Sequence, residues 1–137
     1  SDFIKSVNSY KTEPIVTYFD AGKDYDSLVI DARNIGFNPS LFPTVYDEDG
    51  NAIYDIAYIN KNVASTNGYI TYSTNSYLTN ENIKNVIGTN PYNVVAWRTR
   101  GRLSGDLVIG NEDASIIMSG AKLKNALKNC KVVFIID

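Results

Sequence analysis

Histidine is absent from the 137-residue chain, and cysteine, methionine and tryptophan each occur once. Without histidine, no Ser-His-Asp or Cys-His nucleophile system can be built, and no zinc site of the Cys₂His₂ or His₃ kind. A single cysteine forbids an internal disulfide, a Cys₄ metal site and C-x-x-C-H haem attachment. No stretch approaches the roughly 18 apolar residues of a membrane-spanning helix. Neither a signal peptide nor a lipobox is visible, so a leader or lipid anchor is expected only as something removed before Ser1. An excess of one charge is also lacking. With 13 Lys+Arg against 15 Asp+Glu the net charge is −2, which argues against a dedicated nucleic-acid binder.

Apolar residues make up 44% of the chain, including 10 Tyr and 5 Phe, enough to build a folded core at the commonest size for one domain. Asparagine occurs 16 times. Together with Tyr, Thr and Ser it makes an uncharged, hydrogen-bonding surface of the kind that turns and interfaces use. Extracytoplasmic proteins and products of AT-rich genomes share this bias.

The pattern along the chain predicts an N-terminal arm or first strand over residues 1–20, then a single α+β domain over residues 21–137. About seven strands in a mixed or mostly antiparallel sheet are expected, with two or three short helices. Residues 27–31 are short and β-branched, hence a strand, and residues 32–43 form an unusually apolar loop broken by Gly36, Pro39 and Pro43. A hairpin follows, with strands at residues 44–46 and 52–54 around the turn signal Asp49-Gly50. Residues 56–63 are ambiguous between a strand and an irregular connection, and residues 68–72 alternate as a strand. Residues 79–88 fit a helix capped by Thr79 or Asn80 and stopped by Gly88. Strands are expected at 92–97 and 107–109. A helix then opens at Asn111 as N-cap, with Glu112 and Asp113 placed where the helix dipole favours acids. Residues 122–127 continue that helix or form a second. The run from Cys130 to Ile136 is the most apolar and is expected at the centre of a sheet.

Few clusters offer chemistry. Asp47-Glu48-Asp49-Gly50-Asn51 is rich in carboxylates, but its glycine falls at position four and Tyr58 stands where a calcium loop needs Glu, so a solvated hairpin tip is expected. Arg98, Arg100 and Arg102 alternate. On a continuous strand they would share one face, fit either to pair with neighbouring acids or to hold a phosphate, a polyanionic glycan or a partner's carboxylates. Asp31 and Arg33 would also share a face at a strand end, where an ion pair pinning the next loop is the simplest account. Asp31 has no second tuned acid to work with as a catalyst. Cys130 is expected to pack as a small apolar residue. Phe37, Leu41 and Phe42 lie in the loop before Pro43 and either fold back over the sheet or present a docking surface.

Four segments carry a family resemblance. They are LVIDARNIGFNPSLFP (28–43), VYDEDGNAIY (45–54), IGNEDA (109–114) and the ending LKNCKVVFIID (127–137). Their order resembles a domain of bacterial envelope proteins related to the flagellar-assembly lipoproteins. In that pattern a DARGLG block with a P-x-hydrophobic-x-P loop precedes a DEDG hairpin, an NEDA helix and a terminal strand. The resemblance covers roughly residues 25–137. It implies an exported, non-enzymatic, architectural domain, in which Asp31 and Arg33 shape the loop, Asp49 and Gly50 the turn, and Asn111 to Ala114 the helix entry.

The expectation is therefore a structural or assembly protein of the envelope or cell surface, in periplasm, outer membrane or exterior. It would act through protein partners, with a homo-oligomer or polymer as the concrete form, and without cofactor, metal or catalytic residues. The alternative is a module binding an anionic envelope ligand through the arginine face.

Overall fold

The structure, a computed structural model, describes residues 24–137; the arm or strand expected over residues 1–20 lies outside them. Eight strands and four α-helices follow in the described residues. In chain order they are β1 (Ser27–Asp31), β2 (Val45–Tyr46), β3 (Ala52–Tyr54), a 3₁₀ turn (Ile56–Tyr58), α1 (Lys61–Asn67), β4 (Thr71–Ser73) and α2 (Glu81–Ile87). Then come β5 (Pro91–Val95), β6 (Arg98–Arg100), β7 (Asp106–Val108), α3 (Asn111–Ser119), α4 (Ala121–Lys128) and β8 (Val132–Ile135).

The strands divide into two sheets of four, ordered β4-β8-β1-β5 and β3-β2-β7-β6. Every pairing in the first sheet is parallel. A mostly antiparallel arrangement, one of the two expected, is corrected here, and the single sheet expected is two. A helix, or an excursion into the second sheet, separates each of these strands from the next, so each re-enters the sheet from the same end. The second sheet is mixed, with antiparallel hairpins β2–β3 and β6–β7 joined by the parallel pair β2–β7.

Period-two alternation sorts the first sheet's side chains. Leu28 and Ile30 of β1 with Val132 and Phe134 of β8 face the main core, which the second sheet and helices α3 and α4 complete. Val29, Val133 and Ile135 face the other way, onto Ile83 and Ile87 of α2. β1 and β8 are thus buried on both faces, the condition that continuous apolar runs satisfy. Each fully buried aliphatic or aromatic side chain contributes roughly 1.5–3 kcal/mol.

The ambiguous stretch 56–63 resolves into the 3₁₀ turn and the start of α1, each set by an acceptor side chain just before it. Asp55 accepts from the N–H of Ala57, and Asn60 accepts from those of Asn62 and Val63. α2 is capped by Asn80 and ended by Gly88, as its spacing predicts. The helical stretch after Gly110 is two helices, because Gly120 adopts an extended backbone between them. Cys130 does not open β8. It sits buried in the turn before it, at a left-handed φ of 60°.

At the end of β5 the chain changes sheets without a loop. The Ala96 N–H donates to Asp31 O, continuing the parallel register, and the Trp97 N–H donates to Val108 O, opening the next sheet.

Candidate protein-contact surface

The apolar loop of residues 36–43 is divided between interior and surface. Phe37 folds inward and meets Phe134 edge-on, with ring centroids 5.7 Å apart, and lies 6.1 Å from Tyr72. Leu41 and Phe42 point outward, 79% and 58% exposed. Leu103, in the turn between β6 and β7, is 72% exposed. That turn is bound to the same loop: the Asn38 N–H donates to Ser104 O at 3.0 Å, Asn38 Nδ2 to Leu103 O at 3.2 Å and Ser40 Oγ to Gly105 O at 3.1 Å.

Tyrosine hydroxyls fasten the loop from beneath. Tyr72 Oη accepts from the Ser40 N–H and donates to Ser40 O, and Tyr69 Oη donates to Pro43 O at 2.6 Å. Tyr69 is in turn stacked on Tyr54, whose hydroxyl donates to Tyr69 O. Burial pushes the hydroxyls of Tyr54 and Tyr69 well above the ordinary tyrosine range and raises that of Tyr72, so they stay neutral donors. Asp106 closes the arrangement by accepting from the Thr44 N–H at 2.8 Å. Leu41, Phe42 and Leu103 therefore stand exposed on a backbone fixed by specific hydrogen bonds. Leu103, Tyr69 and Tyr72 were not among the residues the sequence singled out. Their signal, tyrosines with an apolar body and a polar tip, is visible only once a backbone carbonyl is known to lie within reach.

The three arginines do not form a ladder. β6 ends at Arg100, and Gly101, at φ 92°, turns the chain so that Arg102 sits in the hairpin turn. Arg98 and Arg100 do share the face that carries Tyr46. Arg100 is committed there, its guanidinium 4.1 Å from the Tyr46 ring centroid. It lies so close to Gly50 that an added Cβ would meet Nη1 at 3.1 Å. Gly50 thus serves the turn twice, through its φ of 86° and by leaving room for Arg100.

Asp31 and Arg33 form the expected pair in bidentate geometry, Nε to Oδ1 at 2.9 Å and Nη2 to Oδ2 at 2.8 Å. The Arg33 hydrogen bond holds the Asp31 carboxyl below its usual range, against a smaller opposing effect of burial. The neighbouring Asn34, at φ 65°, donates its N–H to Asp137.

The DEDGN tip is exposed, as a solvated hairpin tip should be, and is also tied to α3. Asp47 Oδ1 accepts from the N–H groups of Asp49 and Asn51. Partial desolvation raises the Asp47 pKa, but these bonds and the Asn51 amide outweigh it, and the carboxyl titrates below its usual range. Glu48 Oε2 accepts from the Asn111 N–H at 2.7 Å, while Asn111 Oδ1 accepts from the Glu48 N–H at 2.9 Å. Asn111 is consequently not the N-cap. Gly110 is, and the Asn111 side chain faces the hairpin instead. Asp113 accepts from Tyr92 Oη at 2.6 Å.

Among the described residues, no three His, Cys, Asp or Glu side chains converge as a metal site would require, and no helix is long and apolar enough to cross a membrane. The described residues form a mixed α/β domain. Residues 27–137 match the family defined by the second domain of the Treponema pallidum protein Tp0624, and the chain belongs to that family. No curated protein matches it.

Proposed function

We propose that this chain is a non-enzymatic assembly domain of the bacterial envelope, acting through protein–protein contact at the surface formed by Leu41, Phe42 and Leu103. The observation that carries this reading is the exposure of three large apolar side chains on two loops held rigid by backbone hydrogen bonds. Such residues are expensive to leave in water and inexpensive to dock, because their backbone is already ordered. The family is defined by one domain of a larger bacterial protein, which is consistent with a bacterial source. The envelope location and a flagellar association rest on the sequence resemblance.

A second copy of the chain is the partner to test first. Sedimentation velocity of the full chain over a concentration series should show reversible association, lost in a Leu41→Ser/Phe42→Ser/Leu103→Ser variant of unchanged circular dichroism. A chain that stays monomeric at the highest soluble concentration would overturn self-assembly. The anionic-ligand alternative has less support, because Arg100 is stacked on Tyr46 and Arg102 leaves the strand.

A further inference from the structure

Of the four outer strands in the two sheets, three are guarded. β6 carries the exposed Arg98 and Arg100, β5 begins with Pro91, and β4 has the 36–43 loop tied to it through the Tyr72–Ser40 bonds. Charge, proline and covering loops are the usual means by which a sheet edge is kept from pairing. β3 has no charged residue, proline or covering loop; its own protection is its three-residue length and an irregular pairing with β2. Its sequence is Ala52-Ile53-Tyr54, and among the described residues no strand pairs on its far side.

Two depressions run along this edge and share Ile53 and Met118. One, of about 350 Å³, is lined by Ile53, Tyr58, Met118 and Leu127, with Asp55 and the exposed Lys124 and Lys128 completing it. The other, of about 280 Å³, extends past Ala114 to Asp47 and Asp49 at the hairpin tip. The groove therefore has an open strand on one side and an apolar middle, with two ammonium groups outnumbering the Asp55 carboxylate in one depression and the Asp47 and Asp49 carboxylates in the other. Methionine, unbranched and polarisable, suits a wall that must accept varied side chains.

We infer that β3 and this groove receive an extended peptide segment of a partner protein, added as a further strand, with an acidic residue at the Lys124/Lys128 end, apolar residues over Ile53 and Met118, and a basic residue at the Asp47/Asp49 end. Main-chain hydrogen bonds to β3 supply affinity in this mode, and the pockets and end charges supply specificity. A peptide fits where an acyl lipid does not, because only a peptide satisfies the open backbone of the edge. This site is separate from the Leu41/Phe42/Leu103 surface and stands without it.

The test is selection of random nonapeptides displayed on phage against the full chain, with counter-selection on a Met118→Arg variant that retains wild-type circular dichroism and Tm. Enrichment of sequences with acidic, apolar and basic positions in that order is expected. Binding should fall at least tenfold in Lys124→Glu/Lys128→Glu and be restored by peptides with reversed end charges. No enrichment over the Met118→Arg control, or enriched peptides indifferent to the lysine reversal, would overturn the inference. A full-chain dimer abolished by Met118→Arg would overturn it in favour of a second copy as occupant.

Discussion

Asp31 and Arg33 show how much a two-residue spacing can specify. Side chains at i and i+2 of an extended segment share a face, and these two meet in a bidentate pair at the end of β1. Because the folded pKa of Asp31 is depressed, its contribution to stability is fully present above the unfolded carboxyl value near 3.8 and is lost as pH falls through the lowered folded value. Thermal melts of Asp31→Asn and wild type should therefore differ most near neutral pH and converge in strong acid, with the wild type losing more Tm between about pH 5 and pH 2. A constant Tm difference across that range would refute the linkage. Arginine and aspartate at this spacing were legible beforehand. The Asn111 side chain was not. Its position before Glu112 and Asp113 suits an N-cap, but the Glu48 backbone, 63 positions away, competes for the same oxygen and wins.

At the scale of elements, helices and strands with local determinants are recoverable from the chain. α2 has an asparagine cap, an acidic first turn and a glycine stop. The β2–β3 hairpin has its Asp-Gly turn, and β8 has its unbroken apolar run. α1 is hidden because Asn60 is followed by weak helix formers, Asn62, Val63, Ser65, Thr66 and Asn67, and only the cap identifies it. The 36–43 loop depends on Tyr72, which makes two hydrogen bonds to Ser40. Tyr72→Phe removes both, worth about 1 kcal/mol in net terms. The amide of Ser40 should then exchange several-fold faster, with little change in β1 or β8. Exchange rates equal to wild type would show that Phe37 packing alone holds the loop. Self-association should weaken in the same variant if the loop must be ordered to dock.

At the scale of the whole molecule, one core joins both sheets. Phe134 is fully buried at its centre and touches the loop through Phe37 and the β4 flank through Tyr72. Phe134→Ala should destabilise the domain by about 3–5 kcal/mol, a large share of the 5–15 kcal/mol typical of a domain. Urea unfolding followed by fluorescence and by circular dichroism checks this, and the two probes should shift together. Two separate transitions would mean that the sheets unfold independently. The division into two sheets was not readable in advance. Parallel and antiparallel partners use the same short β-branched runs, and the pairing depends on which end of the sheet each strand re-enters.

β1 and β8, the first and last described strands, lie side by side and parallel, with Leu28 opposite Val132 and Asp31 opposite Ile135. Tension applied at the start of β1 and the end of β8 would pull these neighbours past each other along their length. Their hydrogen bonds would bear the load together in shear, instead of opening one by one like a zipper. A domain that is one of several in a longer chain, as the family's defining second domain is, would then resist stretching at its most deeply buried seam.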